Sequence, residues 1–418
     1  MMNKYKGMSV GDWNLGIVFL YLTLFAASFN DILRIPNTTI TLFRSLVFLA
    51  VGYCLWVNRD SFKYILIFCV IVGINFIQSV YYSETNLYGL EFSWSVFLEN
   101  AYLFFCIFSV IMIVVTLMKV QEDGGQLCMQ FLKIIACLYL MILYSIILTP
   151  DFYDYLVSLN MITNRNDLAA YVAVILPVYL YEALGQKKLI SIVWCVLAFL
   201  CIGMLGRKLV MFGMLIEAFV IFLVLKKSWK NILTVFACVV AVLLFNAFTD
   251  TINFQYIFLK LENGLMGIVG MKSYNVIADS ESYRVAVFDY GMEEIINTKL
   301  LGVGIGNAPR LIPLMMPLGS DFMYKGDGSV VSVHNFIIQM LLEFGFLALL
   351  AALYVVRYTI TLIRRKSTGF QYIYLSVLTG IWIWGLAPSG YYTLYYCYIV
   401  LTYVVCMNRN IRGFVNES

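Results

Sequence analysis

A chain of 418 residues that is 62% hydrophobic and 12% charged carries more apolar surface than a water-soluble core of that length can hide. Its formal net charge of +4 leaves no electrostatic footprint for nucleic acid. Ten cysteines without a C-x-x-C pair, and a single histidine, offer neither a disulfide framework nor a zinc cluster. The expected fold class is an all-α polytopic membrane protein.

Apolar runs near the length that a helix needs to cross hydrocarbon recur along the chain. They cover residues 13–29, 39–57, 64–80, 97–118, 131–148, 168–184, 189–205, 209–225, 232–248, 335–356, 372–386 and 391–407. The first sits where a signal peptide would, but the runs that follow it predict an uncleaved span. The reading is about twelve transmembrane helices in three parts. Residues 1–249 hold nine spans, 250–333 form a loop, and 334–418 hold three.

Lys and Arg in short loops set the orientation. Lys4, Lys6, Arg59, Lys63, Lys119, Lys133, Lys187 and Lys188 fall on one side. Lys226, Lys227, Lys230, Arg357, Arg364, Arg365, Lys366, Arg409 and Arg412 continue that series. The opposite side carries only Arg34, Arg44, Arg165, Arg207 and Lys208 in its short loops and flanks. Both termini are therefore predicted cytoplasmic, and the loop 250–333 faces outward.

That loop is too long for an ordinary connection and too apolar for disorder. Asp279 or Ser280 can cap a helix reaching roughly Thr298. Val285, Phe288, Met292 and Ile295 recur within it at helical spacing, which predicts an amphipathic helix lying on the membrane. Gly302, Gly304 and Gly306 then break the chain. They are not a dinucleotide fingerprint, because no buried strand precedes them; they predict a tight backbone turn.

Each candidate residue has a plain reading and a chemical one. His334 is an interfacial histidine or a general base near neutral pH. Arg207 and Lys208 form a snorkelling pair or an anion clamp. Arg284 pairs with Glu281 at the surface or offers its planar fork to a phosphate. Arg165 flanks a helix mouth or guards a site. Glu99, Glu217 and Glu343 lie in apolar runs and suit helix–helix hydrogen bonding; Glu343 shares its run with His334 and Asn335.

From Glu281 to Phe346 the chain resembles the core of the O-antigen ligase and polysaccharide polymerase family. The matching features are Arg284, the Gly-x-Gly turn, the His334-Asn335 pair opening a helix, and Glu343-Phe344-Gly345 on that helix. The Thr163-Asn164-Arg165-Asn166-Asp167 motif and the Gly206-Arg207-Lys208 hairpin are also similar to family positions, with Gly206 departing from a usual Ser. The resemblance implies a fold like that of the C-type glycosyltransferases, with one long, partly helical outer loop. It also implies a bacterial polysaccharide polymerase, for O-antigen or capsule, in the cytoplasmic (inner) membrane. Such an enzyme joins undecaprenyl-diphosphate-linked glycan repeats by inverting transfer on the outer face, with no metal, nucleotide or other cofactor. His334, Arg284 and Arg207 would be catalytic; Lys208, Arg165, Asn335 and Glu343 would bind the diphosphate or glycan. Expected partners are the lipid-linked oligosaccharide, the bilayer, and a chain-length regulator and flippase of the same pathway. The same residues would serve an O-antigen ligase acting on lipid A–core. A flippase or other transporter is the alternative of another class, for which internal repeats and charged midplane helices would be the signal.

Overall fold

The computed structural model describes residues 15–29, 33, 41–121, 124–158, 165–225, 280–315, 333, 335–363, 369–384 and 394–415. The expected span at 232–248, most of the loop 250–333, and His334 lie outside the described residues. The helices are α1 Leu15–Ser28, α2 Leu42–Val57, α3 Phe62–Thr85, α4 Trp94–Val120 and α5 Gly124–Leu148. They continue with α6 Pro150–Ser158, α7 Arg165–Gly185, α8 Leu189–Met204, α9 Lys208–Leu225 and α10 Ser280–Asn297. The last five are α11 Ala308–Met315, α12 Phe336–Phe344, α13 Phe346–Ile363, α14 Gly369–Trp384 and α15 Tyr395–Val415. No β-strand occurs among the described residues.

The chain is an all-α membrane protein. Among the described residues, four helical stretches are long and apolar enough to cross a bilayer: Arg59–Thr85, Trp94–Val120, Gly125–Leu148 and Asn166–Gly185. Shorter apolar helices accompany them at Leu15–Ser28, Leu42–Val57, Leu189–Met204, Val210–Phe222, Phe346–Thr361 and Tyr395–Met407.

The bundle is organised around α7, which packs on α5, α8, α9, α14 and α15. Helices in lipid gain little from excluding water, so close contact and internal hydrogen bonds hold them together. Tyr139, Tyr171 and Tyr396 join α5, α7 and α15 through rings 4.7, 5.4 and 5.9 Å apart. The Tyr139 hydroxyl donates to the Ser28 carbonyl, and that of Tyr396 to the Leu132 carbonyl at 2.8 Å. Each buried phenol thus ends on a backbone acceptor. Between α9 and α14, Gly380 leaves room for the buried Glu217 side chain: a Cβ there would stand 1.8 Å from Glu217 Oε1.

Polar pairs fix how the helices alternate. Lys119, at the end of α4, meets Asp60 in the 3-10 turn Arg59–Ser61 that precedes α3. Glu182 accepts from Lys133, from Lys188 at 3.2 Å and from Ser191 at 2.8 Å, tying α5, α7 and α8. All these ends were read from sequence as lying on one side.

Four expectations change. The run 335–356 is not one helix: Gly345, at φ +53, divides it into α12 and α13. A short helix, α6, occupies the connection before α7. The predicted stripe of α10 is split, with Ile295 buried and Phe288 exposed. Val287, Gly291 and Ile295 pack on α11 and α12, and Glu294 is buried against Tyr82 of α3. Finally, Glu99 is exposed, whereas Glu217 and Glu343 are buried.

Candidate functional site

The glycine loop and the helix break are two halves of one joint. A helix that stops at Phe344 leaves its last carbonyls without intrahelical donors. Val303 N donates to the Leu342 carbonyl at 2.7 Å and Gly304 N to the Glu343 carbonyl at 3.0 Å. In return Phe346 N, at the start of α13, donates to the Leu300 carbonyl at 2.7 Å. The chains lie so close that side chains do not fit between them. A Cβ on Gly345 would stand 2.3 Å from the Leu300 oxygen, and one on Gly302 2.8 Å from the Gly345 nitrogen. Both glycines also have positive φ, +53 and +86. The turn expected from the glycines is real, and its place is inside the break of α12–α13.

The same loop is held from the other side by α3 and its following turn. Gln78 donates to the Leu301 carbonyl. The Tyr82 hydroxyl donates to Glu294 Oε1 at 2.7 Å, and Arg310 Nη2 to the Glu91 carbonyl at 3.2 Å. Glu294 is 4% exposed, and a hydrogen bond that satisfies so buried a carboxylate is worth about 1.5–3 kcal/mol. Burial, with Glu294 and Glu293 nearby, pushes the Tyr88 phenol above its ordinary value.

The expected site residues fall into two groups. In the first, Arg207 stands half-buried in the α8–α9 turn, after Gly206 at φ +64. Its Nη1 donates to Asn166 Oδ1 at 3.2 Å. The hairpin therefore meets the motif that opens α7, whose first residue is Arg165. Lys208 opens α9. The side chains of Arg165 and Lys208 lie outside the described residues.

In the second group, Asn335 caps α12 by accepting from Ile338 N at 3.1 Å. That capping bond fixes the backbone immediately after His334. Glu343 is fully buried and accepts from Gln339 Nε2 at 3.2 Å, so it stands in the packing beneath the glycine loop. Arg284 lies in the N-terminal half of α10, and its side chain is outside the described residues. The structure thus joins Arg207 to the Arg165 motif, and the glycine loop to Glu343. The two groups stand on different helix sets.

Sequence reasoning missed Gln78, Tyr82, Glu294 and Arg310. Nothing local marks them, because each acquires its role from a partner more than 200 positions away. Among the described residues, no three His, Cys, Asp or Glu side chains form a group suited to a metal ion.

Residues 193–353 match the family model described as O-antigen ligase. That stretch contains Arg207, Lys208, Arg284, His334, Asn335 and Glu343, and begins after Arg165. No curated protein and no solved structure matches the chain.

Proposed function

We propose, starting from the O-antigen ligase family domain at residues 193–353, that the chain is a bacterial polysaccharide polymerase of the inner membrane. About twelve spans would place both termini in the cytoplasm and the loop 250–333 outside. The donor is a growing glycan on undecaprenyl diphosphate, and the acceptor is a sugar hydroxyl of another lipid-linked repeat. The hydroxyl oxygen attacks the anomeric carbon and bonds to it as the carbon–oxygen bond to the diphosphate breaks, inverting that centre. His334 takes the hydroxyl proton. Arg284 and Arg207, with Lys208 and Arg165, stabilise the charge that develops on the departing lipid diphosphate. Asn335, by capping α12, and Glu343, beneath the glycine loop, hold that region in place. No metal or nucleotide takes part.

The observation that carries this reading is the family match, which spans every residue given a chemical role except Arg165. The contact between Arg207 and Asn166 supports the inclusion of Arg165. A second reading draws on the matched description itself: as an O-antigen ligase, the chain would deliver finished glycan to lipid A–core with the same chemistry.

Purified chain in proteoliposomes, supplied with polyprenyl-diphosphate-linked repeats and a chelator, is expected to make a ladder of long lipid-linked glycans. Activity that chelator abolishes and a divalent ion restores would defeat the metal-free mechanism. Transfer to lipid A–core alone would select the ligase, and no transfer to either acceptor would overturn the reading.

A further inference from the structure

Where α3 meets the end of α10, the protein forms a half-open cavity of about 450 Å3. Its size falls in the range of small-molecule sites. Tyr81, Tyr82 and Tyr88 line it, together with Glu294, Asn297 and Lys299 among its polar residues.

The chemistry of that wall is selective. Glu294 is buried yet makes no ion pair among the described residues. It is held by neutral donors, the Tyr82 hydroxyl at 2.7 Å and Asn297 Nδ2 at 3.4 Å. Glu294 and Lys299 carry opposite charges on the same wall, so no net cation is left to hold a phosphate, and a carboxylate gains nothing from a hydrocarbon tail. It does accept hydrogen bonds from hydroxyl groups. Tyrosine rings receive the C–H face of a saturated ring and bond its oxygens at their edges.

The cavity is also rigidly built. Asn86 fixes the loop after α3 by donating to the Leu90 carbonyl at 2.9 Å and accepting from Leu90 N at 2.8 Å. Lys299 and Leu300 hold left-handed backbone, φ +52 and +60, which non-glycine residues adopt at a cost. That turn presents Lys299 at the cavity and Leu300 to the α12–α13 joint.

We infer that this cavity is a saccharide-binding subsite for an uncharged, polyhydroxylated ring. Glu294 and Asn297 take its hydroxyl groups and the tyrosines pack on its faces. Only the identity of the saccharide, the acceptor glycan, rests on the proposed transferase activity; the subsite itself rests on the cavity.

The test measures binding with no lipid-linked donor present. Full-length protein in lipid nanodiscs is applied to a printed panel of neutral bacterial oligosaccharides, and the best binder is then titrated by calorimetry. Glu294→Gln and Tyr88→Ala are expected to weaken binding at least about tenfold, as expected for loss of a hydrogen bond to a buried carboxylate. Tyr81 and Asn297 are exposed, so Tyr81→Ala and Asn297→Ala report on the site without endangering the fold, and a similar weakening is expected. Arg207→Ala should bind a neutral saccharide as the parent does. No binding to the panel by the parent, or unchanged affinity in Tyr81→Ala and Tyr88→Ala together, overturns the subsite. Protein that binds saccharide but transfers none keeps the subsite and loses the proposed function. A working transferase with an unchanged acceptor KM in both tyrosine variants does the reverse.

Discussion

In the proposed reaction Arg207 carries two jobs. One arm of its guanidinium is spent on Asn166, which fixes the fork beside the opening of α7. A guanidinium already held in place loses less freedom when it meets an anion. Lysine supplies charge but no fork. Arg284→Lys should therefore separate planar phosphate contact from plain attraction, and an appreciable loss of polymer is expected. His334→Ala, Arg284→Ala and Arg207→Ala are each expected to lower turnover by about 10²–10³, the usual effect of removing one group that acts in the transition state. Lys260→Ala and Lys325→Ala in the same loop should leave it unchanged. The readout is the glycan ladder at matched expression. Near-normal long chains in both His334→Ala and Arg284→Ala would dismiss the assignment.

Among the elements, the broken helix depends most on one position. Gly345 has φ +53 and ψ −123, a conformation other residues reach at a cost of about 1–3 kcal/mol, before any clash with the Leu300 carbonyl. Gly345→Ala should therefore lower the unfolding midpoint in detergent clearly. Gly73→Ala, in α3 with nothing within 4 Å of the added carbon, should leave it level or raise it slightly. Equal midpoints for the two variants would refute the joint. The sequence announced most of the helices because an apolar run of the right length has few other uses. It hid the break, because Gly345 within Phe344-Gly345-Phe346 reads like any small residue in a span. It also misdirected the face of α10. The buried side of that helix includes Gly291 and Glu294, and no hydrophobic pattern foretells a glutamate whose partner, Tyr82, lies on α3. The residues proposed for the chemistry were picked out through short motifs. Their supports were not, since Gln78 and Arg310 act through backbone carbonyls that any sequence would supply.

Across the whole molecule, polar contacts sort the helix ends into two sets. Asp60, Lys119, Lys133, Glu182 and Lys188 join ends at one set. Asn166 with Arg207, and Gln78 and Tyr82 with the glycine loop, join ends at the other. This agrees with strict alternation, and it leaves open which set faces the cytoplasm. Single cysteines at Ser320 and Ser367, in a background without native thiols, decide that. An impermeant maleimide on whole cells is expected to label Ser320→Cys and spare Ser367→Cys; the opposite pattern would refute the orientation. The joint between the glycine loop and α12 also has a direction in time. Residues 303 and 304 leave the ribosome before 342 and 343, so these two donors are made before the acceptors they serve. When the broken helix is synthesised, its unpaired carbonyls find their partners already waiting. A chain that stops before Leu342 leaves those two donors with nothing to close upon.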